Sequence, residues 1–191
     1  MTAFLRTASV LCLLGACAPV AETPPPSTNA ALDPVAQVAL DLAAAEEFYQ
    51  RGEMPALASL VQRLRQQGVH PIDENDVSYL EAWEAAAGNP QAPPFRGRVL
   101  GPGYNRGTLS PGQNAVLSQT FLSGQKTAIS LGERPPAKIS LRLYDSKDTL
   151  VCEHAPARGK VCRFTPVFTQ RYRIEIRNGG NRDAVYYLAM D

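Results

Sequence analysis

Ile139-Ser140-Leu141-Arg142-Leu143-Tyr144 and Tyr172-Arg173-Ile174-Glu175-Ile176-Arg177 decide the fold class of this 191-residue chain. Ile139, Leu141 and Leu143 alternate with Ser140, Arg142 and Tyr144, and Tyr172, Ile174 and Ile176 alternate with Arg173, Glu175 and Arg177. A strand sends successive side chains to opposite faces, so a period of two describes strands buried on one side and wet on the other. Further extended runs lie at 115–122, 126–131, 149–153, 161–165 and 184–190, and with 138–144 and 171–177 they make seven. Turn signals separate them: Ser123-Gly124, 132–136, 145–148, Ala157-Arg158-Gly159 and Asn178-Gly179-Gly180-Asn181. Short strands at this spacing predict a sandwich of two antiparallel sheets over 106–191, long enough for one core.

Upstream, over 33–90, the period is helical. Asp33 is a suitable N-cap with Pro34 at the first helical position, and Val35, Val38, Ala39, Leu42, Ala45 and Phe48 recur before Gly52 stops the run. A second helix spans 54–67, with Leu57, Leu60, Val61 and Leu64 on one face and Gly68 at its end. A third starts near Asn75 or Asp76 and carries Val77, Leu80, Ala82, Trp83 and Ala86 up to Gly88-Asn89-Pro90. The fold class is therefore α+β: a short N-terminal segment of three helices, a Pro- and Gly-containing connection at 91–105, then an all-β antiparallel sandwich. Tyr49-Gln50-Arg51-Gly52-Glu53, with Gly88-Asn89 recurring 36 residues after Gly52, resembles a degenerate tetratricopeptide repeat and a half. With so few repeats, the reading preferred is a small helical bundle packed on the sandwich.

The N-terminus reads as an address. Arg6 and the amino group supply positive charge, Ala8 to Leu14 is a short apolar run, and Leu14-Gly15-Ala16-Cys17 follows. The run is far shorter than the ~20 residues of a spanning helix. The pattern resembles the lipobox of bacterial lipoproteins, which implies a signal peptide at 1–16 and lipidation of Cys17 as the mature N-terminus. An ordinary secretory leader is the alternative. A thioether-linked diacylglycerol plus an amide-linked chain exceeds the two signals that stable anchoring needs. Ala18 after the cysteine, by the sorting preference of such lipoproteins, implies the outer membrane, facing the periplasm. Residues 17–32, with Pro19, Pro24, Pro25 and Pro26, form a Pro-rich tether that reaches roughly 40 Å at ~3 Å per residue.

Of four cysteines, Cys12 leaves with the leader and Cys17 takes lipid. Cys152 and Cys162 remain as a pair in an oxidising compartment, which predicts a disulfide clamping a hairpin. Zinc would need more ligands than His154 adds to this pair. No metal and no cofactor is expected.

The stretch Gly107-Thr108-Leu109, Pro111-Gly112-Gln113 to Phe121 and Gly124-Gln125 resembles the bacterial pre-peptidase C-terminal domain. So do Ile139 to Asp145, Tyr172 to Ile176 and Tyr186-Tyr187-Leu188. The resemblance implies a small jelly-roll-like sandwich of the kind appended to secreted enzymes as a binding or secretion-associated module. Ala137-Lys138 stand where that family often has acidic residues, which argues against calcium.

Catalysis finds no footing. The two histidines, His70 and His154, sit beside a proline and near a cysteine, and there is no nucleophile-elbow pattern. Asp145 and Asp148 around Ser146-Lys147 read as a solvated turn. Charge is uneven: ten acids face three arginines in the helical part, net −7, and residues from Arg96 onward carry +8. Either acidic helices pack on the basic sandwich, or Arg142, Arg171, Arg173 and Arg177 form an outward stripe for an anionic partner. Tyr104, Tyr144, Tyr172, Tyr186 and Tyr187 would serve a sugar-binding surface if exposed, although alternation puts Tyr172 and one of the last two in the core. The expectation is a non-enzymatic, membrane-anchored envelope lipoprotein acting as a binding or scaffold module for another envelope protein or an anionic cell-wall polymer. The alternative is a carbohydrate- or peptidoglycan-binding module, and an enzyme of an unrecognised kind ranks below both. Nucleic acid does not fit this compartment.

Overall fold

The computed structural model describes residues 32–73, 79–88, 101–154 and 159–191. The expected leader, Cys17, most of the tether, the start of the third helix, most of the connection and the tip of the 155–158 turn lie outside them.

Helix α1 (Pro34–Arg51) begins as its cap predicts: the Asp33 carboxylate accepts the Val35 amide at 2.8 Å, and Pro34 sits where no amide donor is required. Gly52 ends it at φ 71°, a left-handed position that costs a glycine little. Helix α2 (Met54–Gln66) buries Leu57, Leu60, Val61 and Leu64, and the short α3 (Tyr79–Ala86) buries Leu80 and Trp83. Between them lies β1 (His70–Pro71), a two-residue strand.

Eight more strands follow: β2 (Gly103–Leu109), β3 (Asn114–Phe121), β4 (Thr127–Arg134), β5 (Ile139–Tyr144), β6 (Leu150–His154), β7 (Val161–Phe164), β8 (Gln170–Asn178) and β9 (Ala184–Met190). All seven strands expected from alternation are among them. The addition is β2, which begins inside the stretch read as a connection. Gly103 and Gly107 blur its period, and Gly107 has a physical use: it pairs opposite Tyr186, whose ring occupies the space a Cβ would fill.

The strands form two sheets, β1-β2-β9-β4-β7 and β3-β8-β5-β6. Apart from the parallel pair of β1 and β2, every pairing is antiparallel. From β2 onward only β5 and β6 are sequential neighbours in one sheet; every other connection crosses between sheets. That layout corrects the hairpin expected between the cysteines. Cys152 on β6 and Cys162 on β7 are joined by a disulfide, and the bridge links one sheet to the other.

The first sheet is covered on both faces, and β9 shows it best. Tyr186, Leu188 and Met190 point into the core between the sheets with Ile129, Leu141, Leu143, Ile174 and Ile176. Tyr187 and Ala189 point the other way, into a second core with Val38, Leu42, Leu57, Leu64, Leu80 and Trp83. The helices are therefore a third layer on this sheet, and Ala31–Asp191 is one compact unit. Gly132 on β4 sets the approach: a Cβ there would collide with the Ala39 carbonyl of α1.

Candidate functional site

Arg171, Arg173 and Arg177 on β8 and Arg142 on β5 share the outward face of the second sheet. Their register puts Arg142 beside Glu175, Tyr144 beside Arg173 and Thr120 beside Arg171. The face is a mixed lattice of charge. Arg142 donates to Glu153 at 2.7 Å, and Arg173 pairs with Asp148 at 2.9 Å and with Glu175 while lying over the Tyr144 ring. Glu153 raises the Arg142 pKa, but this exposed pair is screened by water. Arg171 and Arg177 are exposed and have no carboxylate partner among the described residues. Glu175 was visible in the same alternation as Arg173; Asp148 and Glu153 are brought in by the β5–β6 hairpin.

One end of the sandwich exposes three apolar side chains. Val167 and Phe168, between β7 and β8, are 75% and 71% exposed, and Leu122, between β3 and β4, is 56% exposed. The two loops are tied together. The Ser123 amide donates to Thr169 Oγ1 at 3.0 Å, Ser123 Oγ to the Val167 carbonyl at 2.6 Å, and the Gly124 amide to the Pro166 carbonyl at 2.8 Å. Ser146 Oγ reaches Gln170 Oε1 at 2.5 Å, so the β5–β6 turn joins the same cluster. These exposed side chains had no signal in the sequence pattern, because loop positions carry no periodicity.

Between the helices and the first sheet lies a polar network that sequence reading missed. Glu46 on α1 is buried and accepts Tyr187 Oη–H at 2.5 Å, Gln50 Nε2 at 2.7 Å and Arg106 Nη2 at 3.3 Å. Arg106 also donates to Tyr187 Oη at 3.0 Å and to Tyr79 Oη at 3.1 Å, and stacks on the Tyr79 ring. Burial and the bond to Glu46 push the Tyr187 pKa far up, so its hydroxyl stays a donor. This is a closed, satisfied cluster that fixes α1 on the sheet. The charge asymmetry has two ion pairs across this boundary among the described residues, Glu46–Arg106 and Asp33–Arg163. Asp41–Arg63 and Glu84–Arg65 close within the helical layer.

The remaining candidates resolve into local structure. Asp145 Oδ1 accepts the amides of Thr149 at 2.9 Å and Lys147 at 2.8 Å, which lowers its pKa and builds the turn itself. His154 Nε2 lies 3.6 Å from Cys152 Sγ, and with Cys162 the three donors fall within 4.8 Å of one another. With both sulfurs in the bridge, neither offers the thiolate that ligates a metal. Tyr104, Tyr172, Tyr186 and Tyr187 are all buried, which leaves Tyr144, beneath Arg173, as the only half-open ring of the five sugar-stacking candidates. Among the described residues no helix is long and apolar enough to cross a membrane.

No family model matches the chain, and no curated protein matches it. Among solved structures it is similar to the pre-peptidase C-terminal domain of a collagenase from Bacillus anthracis, at 17% identity and a TM-score of 0.42, covering 46% of this chain and 87% of that one. It is also similar to PliG of Aeromonas hydrophila, a periplasmic inhibitor of g-type lysozyme, at 10% identity and a TM-score of 0.39, covering 47% and 84%. A third, the capsular polysaccharide assembling protein CapF of Staphylococcus aureus, is 15% identical with a TM-score of 0.31, over 71% of this chain and 41% of that one. These are distant likenesses of fold.

Proposed function

We propose that this chain is a non-catalytic envelope lipoprotein, anchored through lipid on Cys17, that presents its sandwich as a binding module for another envelope component. One observation supports the binding role above the others: the described helices all pack on the first sheet, and among the described residues none covers the outer face of the second. That outer face carries Val116, Arg171 and Arg177 in the open, beside the Arg142–Glu153 and Arg173–Asp148 pairs. A face of mixed charge with unpaired arginines suits a protein surface of complementary pattern. The anchor rests on Leu14-Gly15-Ala16-Cys17, and the outer membrane on Ala18. A second reading, an anionic cell-wall polymer as ligand, is favoured by Arg171 and Arg177 alone.

The test joins fractionation to capture. The wild type is expected in the membrane pellet with radiolabelled palmitate incorporated, and Cys17→Ala is expected to lose the label. Pull-down of the detergent-solubilised protein should recover a discrete protein set that Arg171→Glu with Arg177→Glu loses. Absence of label, together with unchanged fractionation of Cys17→Ala, would overturn the anchor. Recovery of cell-wall polymer in place of protein would favour the second reading, and its release by salt would mark simple charge attraction.

A further inference from the structure

We propose that the braced loop pair at 122–126 and 166–169 is a bilayer-docking tip that seats Leu122, Val167 and Phe168 in the boundary between lipid headgroups and acyl chains. The proposal rests on the anchored reading above and adds an orientation to it. Three observations carry it. The first is exposure: Phe168 is the one exposed aromatic ring among the described residues of the sandwich, and Val167 and Leu122 lie out with it. The second is rigidity. Three hydrogen bonds between the loops hold these side chains outward before any partner arrives, so little ordering remains to be done on binding.

The third is position. Asp33, the cap of α1, is paired with Arg163 on β7, so the tether enters the folded unit beside the strand that leads to the tip. Val167 is four residues beyond Arg163, about 13 Å of extended chain. The tether at 18–32 spans roughly 40 Å at ~3 Å per residue, enough slack to turn this end onto the bilayer. A tethered tip meets the surface at high effective concentration, so a small apolar contact suffices. Lys126 and Arg171, exposed and without a carboxylate partner among the described residues, flank the two loops in sequence and suit anionic headgroups.

The test uses the lipidated full chain carrying Phe168→Trp, reconstituted in phosphatidylcholine vesicles with and without phosphatidylglycerol. Trp83, the single native tryptophan, is buried and gives the baseline through the wild-type spectrum. The added emission should shift to the blue and be quenched by brominated acyl chains, more strongly with phosphatidylglycerol present. Val167→Asp in the same background should abolish the quenching while the protein still floats with vesicles. Emission that stays at the solvent-exposed wavelength and is unquenched in floating protein would overturn the tip and leave the anchor intact. Wild-type protein that fails to float would overturn the anchor and the tip together. Emission shielded in intact envelopes but unquenched in vesicles would assign the tip to a protein cleft and overturn the bilayer.

Discussion

Glu46 shows what one residue can decide. It is one of ten acids in the helical stretch, and nothing in its neighbourhood marks it for burial, a place it shares with Asp41. In the fold it meets Arg106 from β2 and Tyr187 from β9, and the three satisfy one another. Buried polar groups of this kind add little over apolar packing but cost much when one partner is removed. Tyr187→Phe should therefore lower stability by about 1–3 kcal/mol, since it leaves Glu46 and the Arg106 Nε each short of a bond. Glu46→Ala should cost more, up to about 3–5 kcal/mol, because Arg106 loses its carboxylate partner and keeps only the two tyrosines. Urea unfolding checks both: the midpoint falls while the slope is unchanged. By contrast, Asp33 and Gly52 did at the ends of α1 what their residue types foretold, because capping is a local interaction.

At the level of elements, β9 and β4 explain why alternation was only half the answer. Strands with one wet face, β5 and β8, were legible to within a residue at each end. The run from Ala184 to Met190 is apolar on both faces, which marks a central strand but does not name what covers its second side. The cover is α1, and at Gly132 the missing side chain makes room for its Ala39 carbonyl. Gly132→Ala should push α1 off β4 and destabilise the protein by about 1–3 kcal/mol through overpacking. Hydrogen exchange should then rise in α1 and stay slow in β5 and β8. Uniform acceleration across both layers would instead mean that the helices and sandwich unfold as one.

For the molecule as a whole, the disulfide is a link between layers. Cys152 and Cys162 are only ten residues apart, and spacing alone suggested a hairpin. Because β6 and β7 belong to different sheets, the bridge closes the arch between them at the sandwich edge. Replacing both cysteines by serine should lower stability by about 2–3 kcal/mol, the value for so short a loop. Reducing agent should give the same loss in the wild type and none in the double variant, as read by thermal unfolding. The sequence by itself determined the element types, seven of the strands, both caps of α1 and the cysteine pair, because each follows from local periodicity or residue chemistry. Tertiary structure alone decided that the helices form a third layer, that Glu46 and Arg106 meet, that Arg142 and Arg173 are neutralised by neighbours, and that Val167 and Phe168 stand exposed. Those outcomes depend on which distant segments share a surface, and a crossing connection erases that information from the order of residues.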